Sequence, residues 1–192
     1  MPHDTQKLNK QRQDLTQFSE IWLFGYGSLI YKVDFPFITS RPATIKHWER
    51  RFWQGSHDHR GTPEAPGRVL TLVPKPESEC FGMAYQVTDD VFEHLDHREK
   101  NGYLRHEVEI FFTSEEQTVG LVYIGDEHNE AFLGPESATT IAQQILESRG
   151  PSGENRDYLL NLANALRDHN VYDAHVFEIE AELKKLIRLE WS

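Results

Sequence analysis

The sequence predicts an α+β fold, and two observations carry that prediction. Short strand-like runs recur over residues 21–124, and the C-terminal third instead places apolar residues at helical spacing. Strands first and helices later is the order of an α+β chain rather than of alternating βα units. A length of 192 residues suits one domain with a sizeable core.

The elements follow in order. Residues 1–20, rich in Lys, Gln, Asp and Asn, read as a polar extension, either mobile or forming a short amphipathic helix on Leu8, Leu15 and Phe18. Ile21, Trp22, Leu23 and Phe24 are an apolar run too short for a helix and bounded by Gly25, which predicts a buried strand. Further strands are expected at 69–73, 82–87, 107–112 and 119–124. Between them, Val91, Phe92 and Leu95 predict one or two helical turns ending at Asn101-Gly102, with Gly102 left-handed. Ile141, Ile145 and Leu146 predict a helix capped by Ser137, and Tyr158, Leu159, Leu162, Ala163 and Leu166 a second one after Gly150-Pro151-Ser152-Gly153. Ile179, Leu183, Leu186 and Ile187 continue the pattern over 176–191.

Composition excludes several function classes. A net charge of −11 argues against nucleic acid and acidic membrane surfaces as partners. No run of eighteen apolar residues is present, so no membrane-spanning helix is expected. Cys80, the single cysteine, cannot form an internal disulfide, and the polar start lacks the apolar stretch of a secretory signal; the expected location is cytoplasmic. Cys80 precedes a strand-like run with no adjacent His to lower its pKa, so it reads as core rather than as a nucleophile. A monomer is the default expectation.

Three stretches carry chemistry. In the turn Phe24-Gly25-Tyr26-Gly27-Ser28-Leu29, two glycines flank an aromatic, so the backbone can take φ > 0 and form a concavity of N–H groups for a carboxylate, with Ser28 adding a hydroxyl. An ordinary tight turn with Tyr26 in the core fits the same residues. It is not a dinucleotide fingerprint, because Gly25-x-Gly27 lacks the third Gly. The acidic knot Asp96-His97-Arg98-Glu99-Lys100-Asn101-Gly102-Tyr103 places a carboxylate at a helix end, for proton transfer or as one of several solvated charge pairs. The third stretch, residues 50–62 and 66–72, mixes Arg, aromatics and Gly between strand-like runs, as a binding loop on a sheet does. Arg51 and Arg68 can each grip a carboxylate with a two-pronged hydrogen bond. His57 and His59 share a strand face but lack a third metal ligand at suitable spacing, so no metal is expected.

These pieces, with Arg51-Phe52-Trp53-Gln54-Gly55-Ser56, Asp58-His59-Arg60-Gly61, Pro66-Gly67-Arg68-Val69, Gly82-Met83-Ala84-Tyr85, Tyr123-Ile124-Gly125, Leu133-Gly134-Pro135 and Gly150-Pro151-Ser152-Gly153, resemble the ChaC family of glutathione-specific γ-glutamylcyclotransferases from residue 21 to about residue 167. His97 and Asn101 stand where relatives vary. The resemblance implies a γ-glutamylcyclotransferase-like fold, a small mixed β-barrel surrounded by helices, over a single domain at 21–192 that follows the extension at 1–20. It implies glutathione as the small-molecule substrate and no cofactor: the substrate's α-amine attacks its own γ-carbonyl, releasing 5-oxoproline and Cys-Gly.

By the same resemblance Glu99 is the catalytic carboxylate, general base and then general acid. An ordinary Glu near 4.3 faces an amine near 8, a mismatch of roughly 5 kcal/mol, so Glu99 is expected to be partly buried. Tyr26, Gly27, Ser28 and Leu29 are expected to bind the γ-glutamyl end, Arg51 or Arg68 a carboxylate, and Tyr103 and Tyr123 to line the pocket or simply to pack in the barrel. Two alternatives stand beside this: the same chemistry on other γ-glutamyl amines or amino acids, and a non-catalytic sensor of γ-glutamyl compounds.

Overall fold

A computed structural model describes residues 4–191, which group into two compact units. The first unit holds the chain up to Glu49 together with residues 72–130, and the second holds residues 50–71 and everything from Ala131 onward.

Five strands close into a barrel in the order β1-β3-β2-β4-β5, confirming the mixed barrel with helices that the resemblance implied. Strand β1 is Ile21–Gly25, β2 Thr39–Ser56, β3 Gly67–Val87, β4 Leu104–Phe111 and β5 Gln117–Ile124. β1 lies antiparallel to β3, with Leu23 opposite Tyr85, and parallel to β5, with Leu23 opposite Leu121. Flanked on both sides, all five of its residues are buried, which explains why it reads as an unbroken apolar run rather than an alternating one. β4 and β5 pair along their full length, from Leu104 opposite Ile124 to Phe111 opposite Gln117. Leu23, Phe92, Leu95 and Leu121 centre the core, each side chain contributing about 1.5–3 kcal/mol on burial.

The long strands differ from expectation. Residues 69–73 and 82–87 are one continuous β3, because the intervening residues 74–77 are exposed, where the ladder N–H groups missing at Pro74 and Pro76 cost little. β2 carries His47 at φ 71, and its buried positions change parity around that residue, from Ala43 and Ile45 to Arg50, Phe52 and Gln54. One left-handed residue inside a strand shifts the alternation by one and hides the strand from a period-two reading.

The N-terminal segment forms the short helix α1, Gln6–Lys10, but not on the face expected. Leu8 is 55% exposed and Asn9 is fully buried, because the Asn9 amide finds backbone partners at Tyr103 and Arg105. Leu15 and Phe18 do pack, half-buried, against the core. Cys80 is buried in β3 and takes part in no disulfide.

The second unit contains helices α3 (Ala138–Glu147), α4 (Asn155–Asp168) and α5 (Ala174–Glu190), and the small hairpin β6 (Arg149–Gly150) and β7 (Gly153–Glu154). Ser137 caps α3 as predicted, its Oγ accepting from the Thr140 N–H at 3.1 Å, and Asp173 caps α5 by accepting from the Val176 N–H at 3.1 Å. Each such cap is worth about 1 kcal/mol. α5 packs on α3 and α4 through Val176, Ile179 and Leu183, all buried. Among the described residues, no helix is long and apolar enough to cross a membrane.

Candidate active site

Helix α2, Phe92–Arg98, carries the acidic knot on its last turn. Phe92, Leu95 and Asp96 form its buried face, and Glu99 follows directly as the C-terminal cap, its N–H still donating to Leu95 O at 2.9 Å. The chain leaves through Gly102, whose φ of 92 is the left-handed conformation predicted for it. The Glu99 side chain is 22% exposed, so its carboxylate is partly withdrawn from water yet reachable.

The turn after β1 opens a short 3-10 helix, Ser28–Ile30, whose first bond runs from Ile30 N–H to Gly27 O at 3.0 Å. The Ser28 and Leu29 N–H groups stand before that bond in the chain, at the open end of the short helix. Positive φ, the expectation for its glycines, is absent: among the described glycines it falls on Gly102, Gly134 and Gly153, and Gly27 has φ −128. What Gly25 supplies is space, since a Cβ there would overlap the Leu29 side chain. Three side chains clamp the turn. Tyr26 Oη donates to Tyr123 O at 2.6 Å, Arg98 Nη2 donates to Ser28 Oγ at 2.8 Å, and Tyr85 Oη donates to Leu29 O. Arg98 also pairs with Asp34 at 3.2 Å, and burial pushes the Tyr85 hydroxyl up to about 12.

Tyr123 joins the turn to the helix. Its carbonyl accepts from Tyr26, and its own Oη donates to Asp96 Oδ1 at 2.6 Å. Burial, and then the charge of Asp96 and the bond to it, hold the phenol far above its ordinary range, with the Glu99 charge acting in the same direction. Burial likewise raises Asp96, against the lowering effect of the Tyr123 bond and of Arg105, whose Nε lies 3.5 Å from Asp96 Oδ1. Tyr26, Ser28, Leu29, Glu99 and Tyr123 are therefore linked within one unit. Tyr103 is in the same core, and its carbonyl accepts from Thr5 Oγ1 at 2.8 Å and Asn9 Nδ2 at 3.0 Å.

Arg51 and Arg68 belong to the second unit. Arg51 Nη1 donates to Arg50 O at 2.7 Å. Arg68, 4% exposed, has its guanidinium committed to protein acceptors: Phe52 O and Gly134 O, each at 2.9 Å, and Gln144 Oε1 at 2.7 Å. His59 Nδ1 lies 3.2 Å from Ser152 Oγ, and its Nε2 lies 3.8 Å from Asp58. No group of three His, Cys, Asp or Glu suited to a metal ion occurs among the described residues.

Sequence reasoning passed over Asp96 as a site residue. The signal was present, because Phe92, Leu95 and Asp96 are spaced i, i+3, i+4, which puts the carboxylate on the apolar face of α2. Arg98 and Tyr85 gave no comparable signal; each reaches the turn only through the closed barrel.

The family model described as ChaC-like protein matches residues 21–186. The chain is 44% identical over 180 residues to "Gamma-glutamylcyclotransferase 2-3" of Arabidopsis thaliana, covering 87% of this chain and 90% of the relative. It is 42% identical over 180 residues to "Glutathione-specific gamma-glutamylcyclotransferase 1" of Danio rerio, covering 88% and 92%. A crystal structure of the yeast γ-glutamyl cyclotransferase specific to glutathione superposes with a TM-score of 0.81 at 33% identity, over 88% of this chain and 97% of that one. A matching family model over most of its length, close relatives and a shared fold agree, and the chain belongs to the ChaC-like protein family.

Proposed function

We propose that this protein is a glutathione-specific γ-glutamylcyclotransferase that converts glutathione to 5-oxoproline and Cys-Gly. The observation that carries the proposal is the bonded path from the Tyr26–Leu29 turn through Tyr26 and Tyr123 to Asp96, one helical turn before the partly buried Glu99. The relatives named for this activity support it.

The α-ammonium of the γ-glutamyl group gives a proton to Glu99, and the freed amine attacks the γ-carbonyl carbon. The C–N bond to cysteine then breaks as protonated Glu99 gives its proton to the departing amine, and the carboxylate takes the second proton that the ring nitrogen sheds and passes it to the same amine, which leaves as an ammonium, so one carboxylate serves as base and acid. The Ser28 and Leu29 N–H groups donate to the oxygen that becomes negative. Ring closure is intramolecular, so holding the γ-glutamyl arm folded supplies much of the acceleration, on the order of 7–11 kcal/mol for ideal geometry. The buried, unbridged Cys80 fits a reducing compartment, and the cytoplasm is the proposed location.

The test is incubation of the purified protein with reduced glutathione, following both products by mass spectrometry; equal appearance of 5-oxoproline and Cys-Gly is expected, and intact glutathione overturns the proposal. One observation favours a broader reading: the Arabidopsis relative at 44% identity is named for the γ-glutamyl group without glutathione. Turnover of γ-Glu-Ala with glutathione left intact establishes that alternative.

A further inference from the structure

The stretch that follows Glu99 is held from outside. The carbonyls that follow helix α2, those of Lys100 and Tyr103, are met by a segment more than ninety residues earlier in the chain. Thr5 N–H donates to Lys100 O at 2.9 Å, and Thr5 Oγ1 donates to Lys100 O at 3.1 Å and Tyr103 O at 2.8 Å. Asn9 is inserted like a strand partner, its Nδ2 donating to Tyr103 O at 3.0 Å and its Oδ1 accepting from Arg105 N–H at 2.8 Å. Arg12 and Gln13 both donate to Arg105 O.

What this segment contributes is direction rather than apolar area. Its Leu8 is exposed, and its fully buried side chain is the amide of Asn9. The bonds fall on the backbone of residues 100–105, immediately after the cap residue whose φ of −97 and ψ of 16 aim the Glu99 side chain. A second arm runs through Arg105, whose Nη2 donates to Asn9 O and whose Nε faces Asp96, the acceptor for Tyr123. The match to the family model begins at residue 21, so residues 4–13 lie outside that match.

We propose that this N-terminal segment is part of the active-site framework, with Thr5 and Asn9 acting as positioning residues for Glu99. The proposal rests on Glu99 as the proton-transfer group. A displacement of the carboxylate by about 1 Å is enough to cost on the order of a hundredfold in rate.

The test uses the full chain with Asn9→Leu and Thr5→Val, reading kcat and KM on glutathione together with amide hydrogen exchange over residues 99–105. The expected result is a kcat lower by about tenfold or more, KM within about threefold, faster exchange after Glu99, and recovery of kcat in Thr5→Ser. Should Asn9→Leu fail to fold, Thr5→Val decides, since Thr5 is only half-buried. Wild-type kcat in a folded variant overturns the proposal. A wild-type protein inactive on glutathione and γ-Glu-Ala overturns the functional reading instead, and unchanged exchange in the variants then removes the positioning role as well.

Discussion

Tyr123 and Asp96, twenty-seven residues apart in the chain, meet in a buried 2.6 Å bond from phenol to carboxylate. Removing the hydroxyl in Tyr123→Phe leaves Asp96 buried beside Arg105 alone, at an expected cost of about 1–3 kcal/mol. The sign of the pH effect follows from the direction of the Asp96 shift. Burial has raised its folded pKa above the unfolded value, so the charged form is the unfavourable one, and losing the phenol raises the pKa further. The deficit of the variant is therefore largest at neutral pH and narrows as the pH falls through the folded pKa, which urea titrations across that range measure.

Replacing Glu99 with Gln keeps the shape of the side chain and removes the proton acceptor. Turnover is expected to fall at least about a hundredfold, the scale of general acid–base assistance, with folding and glutathione affinity nearly unchanged. Calorimetric titration beside product assays separates the two, and wild-type turnover removes Glu99 from the chemistry.

The close approach of Gly25 to Leu29 makes Gly25→Ala a steric change rather than a conformational one. The added methyl has to displace Leu29, which is itself fixed by the Tyr85 hydroxyl on its carbonyl, so about 1–3 kcal/mol of stability is lost and the turn moves. Chemical denaturation gives the first quantity, and KM for glutathione is expected to rise with it.

In the second unit, His175 is stacked on Phe52 and accepts the Phe52 N–H on Nε2 at 2.9 Å. Burial lowers its pKa from 6.5 to about 4, and the neighbouring Arg51 acts in the same sense. With the folded pKa depressed, the unfolded chain takes up the proton first as the pH falls. The stability tied to neutral His175 is thus present above about 6.5 and lost progressively towards about 4, up to about 3 kcal/mol in full. His175→Gln, which keeps an acceptor but does not titrate, is expected to flatten stability over that window; an unaltered pH profile of the urea midpoint contradicts it.

Much of the helical part was legible because its signals are local. The Ser137 cap, the left-handed Gly102 and the periodic faces of α3, α4 and α5 each depend on residues within a turn or two. The strands were legible where Ile21–Phe24 of β1 and Leu121–Ile124 of β5 are uniformly apolar, and obscure where Pro74, Pro76 and the left-handed His47 and Glu77 break the alternation that a strand is recognised by. Within the candidate site, Glu99 and the Tyr26–Leu29 turn stood out by motif. The bonds that tie Tyr123 to Asp96, Tyr85 to Leu29 and Asn9 to Arg105 did not, because they join residues brought together only by barrel closure and by the return of the N-terminal segment.

Arg68 has a consequence for how the second unit tolerates change. One guanidinium donates to the carbonyls of Phe52 and Gly134 and to the amide oxygen of Gln144, positions separated from it by 16, 66 and 76 residues. Its planar fork fixes the directions of these bonds, and a lysine, carrying a single point charge, cannot reproduce them together. For this contact the segments meeting Arg68 at Phe52 and Gly134 are free in their side chains, since both acceptors there are main-chain atoms. Their lengths are not: inserting or deleting a residue that shifts any one acceptor strands a buried cation, so the segments meeting at Arg68 can change in spelling but not in count.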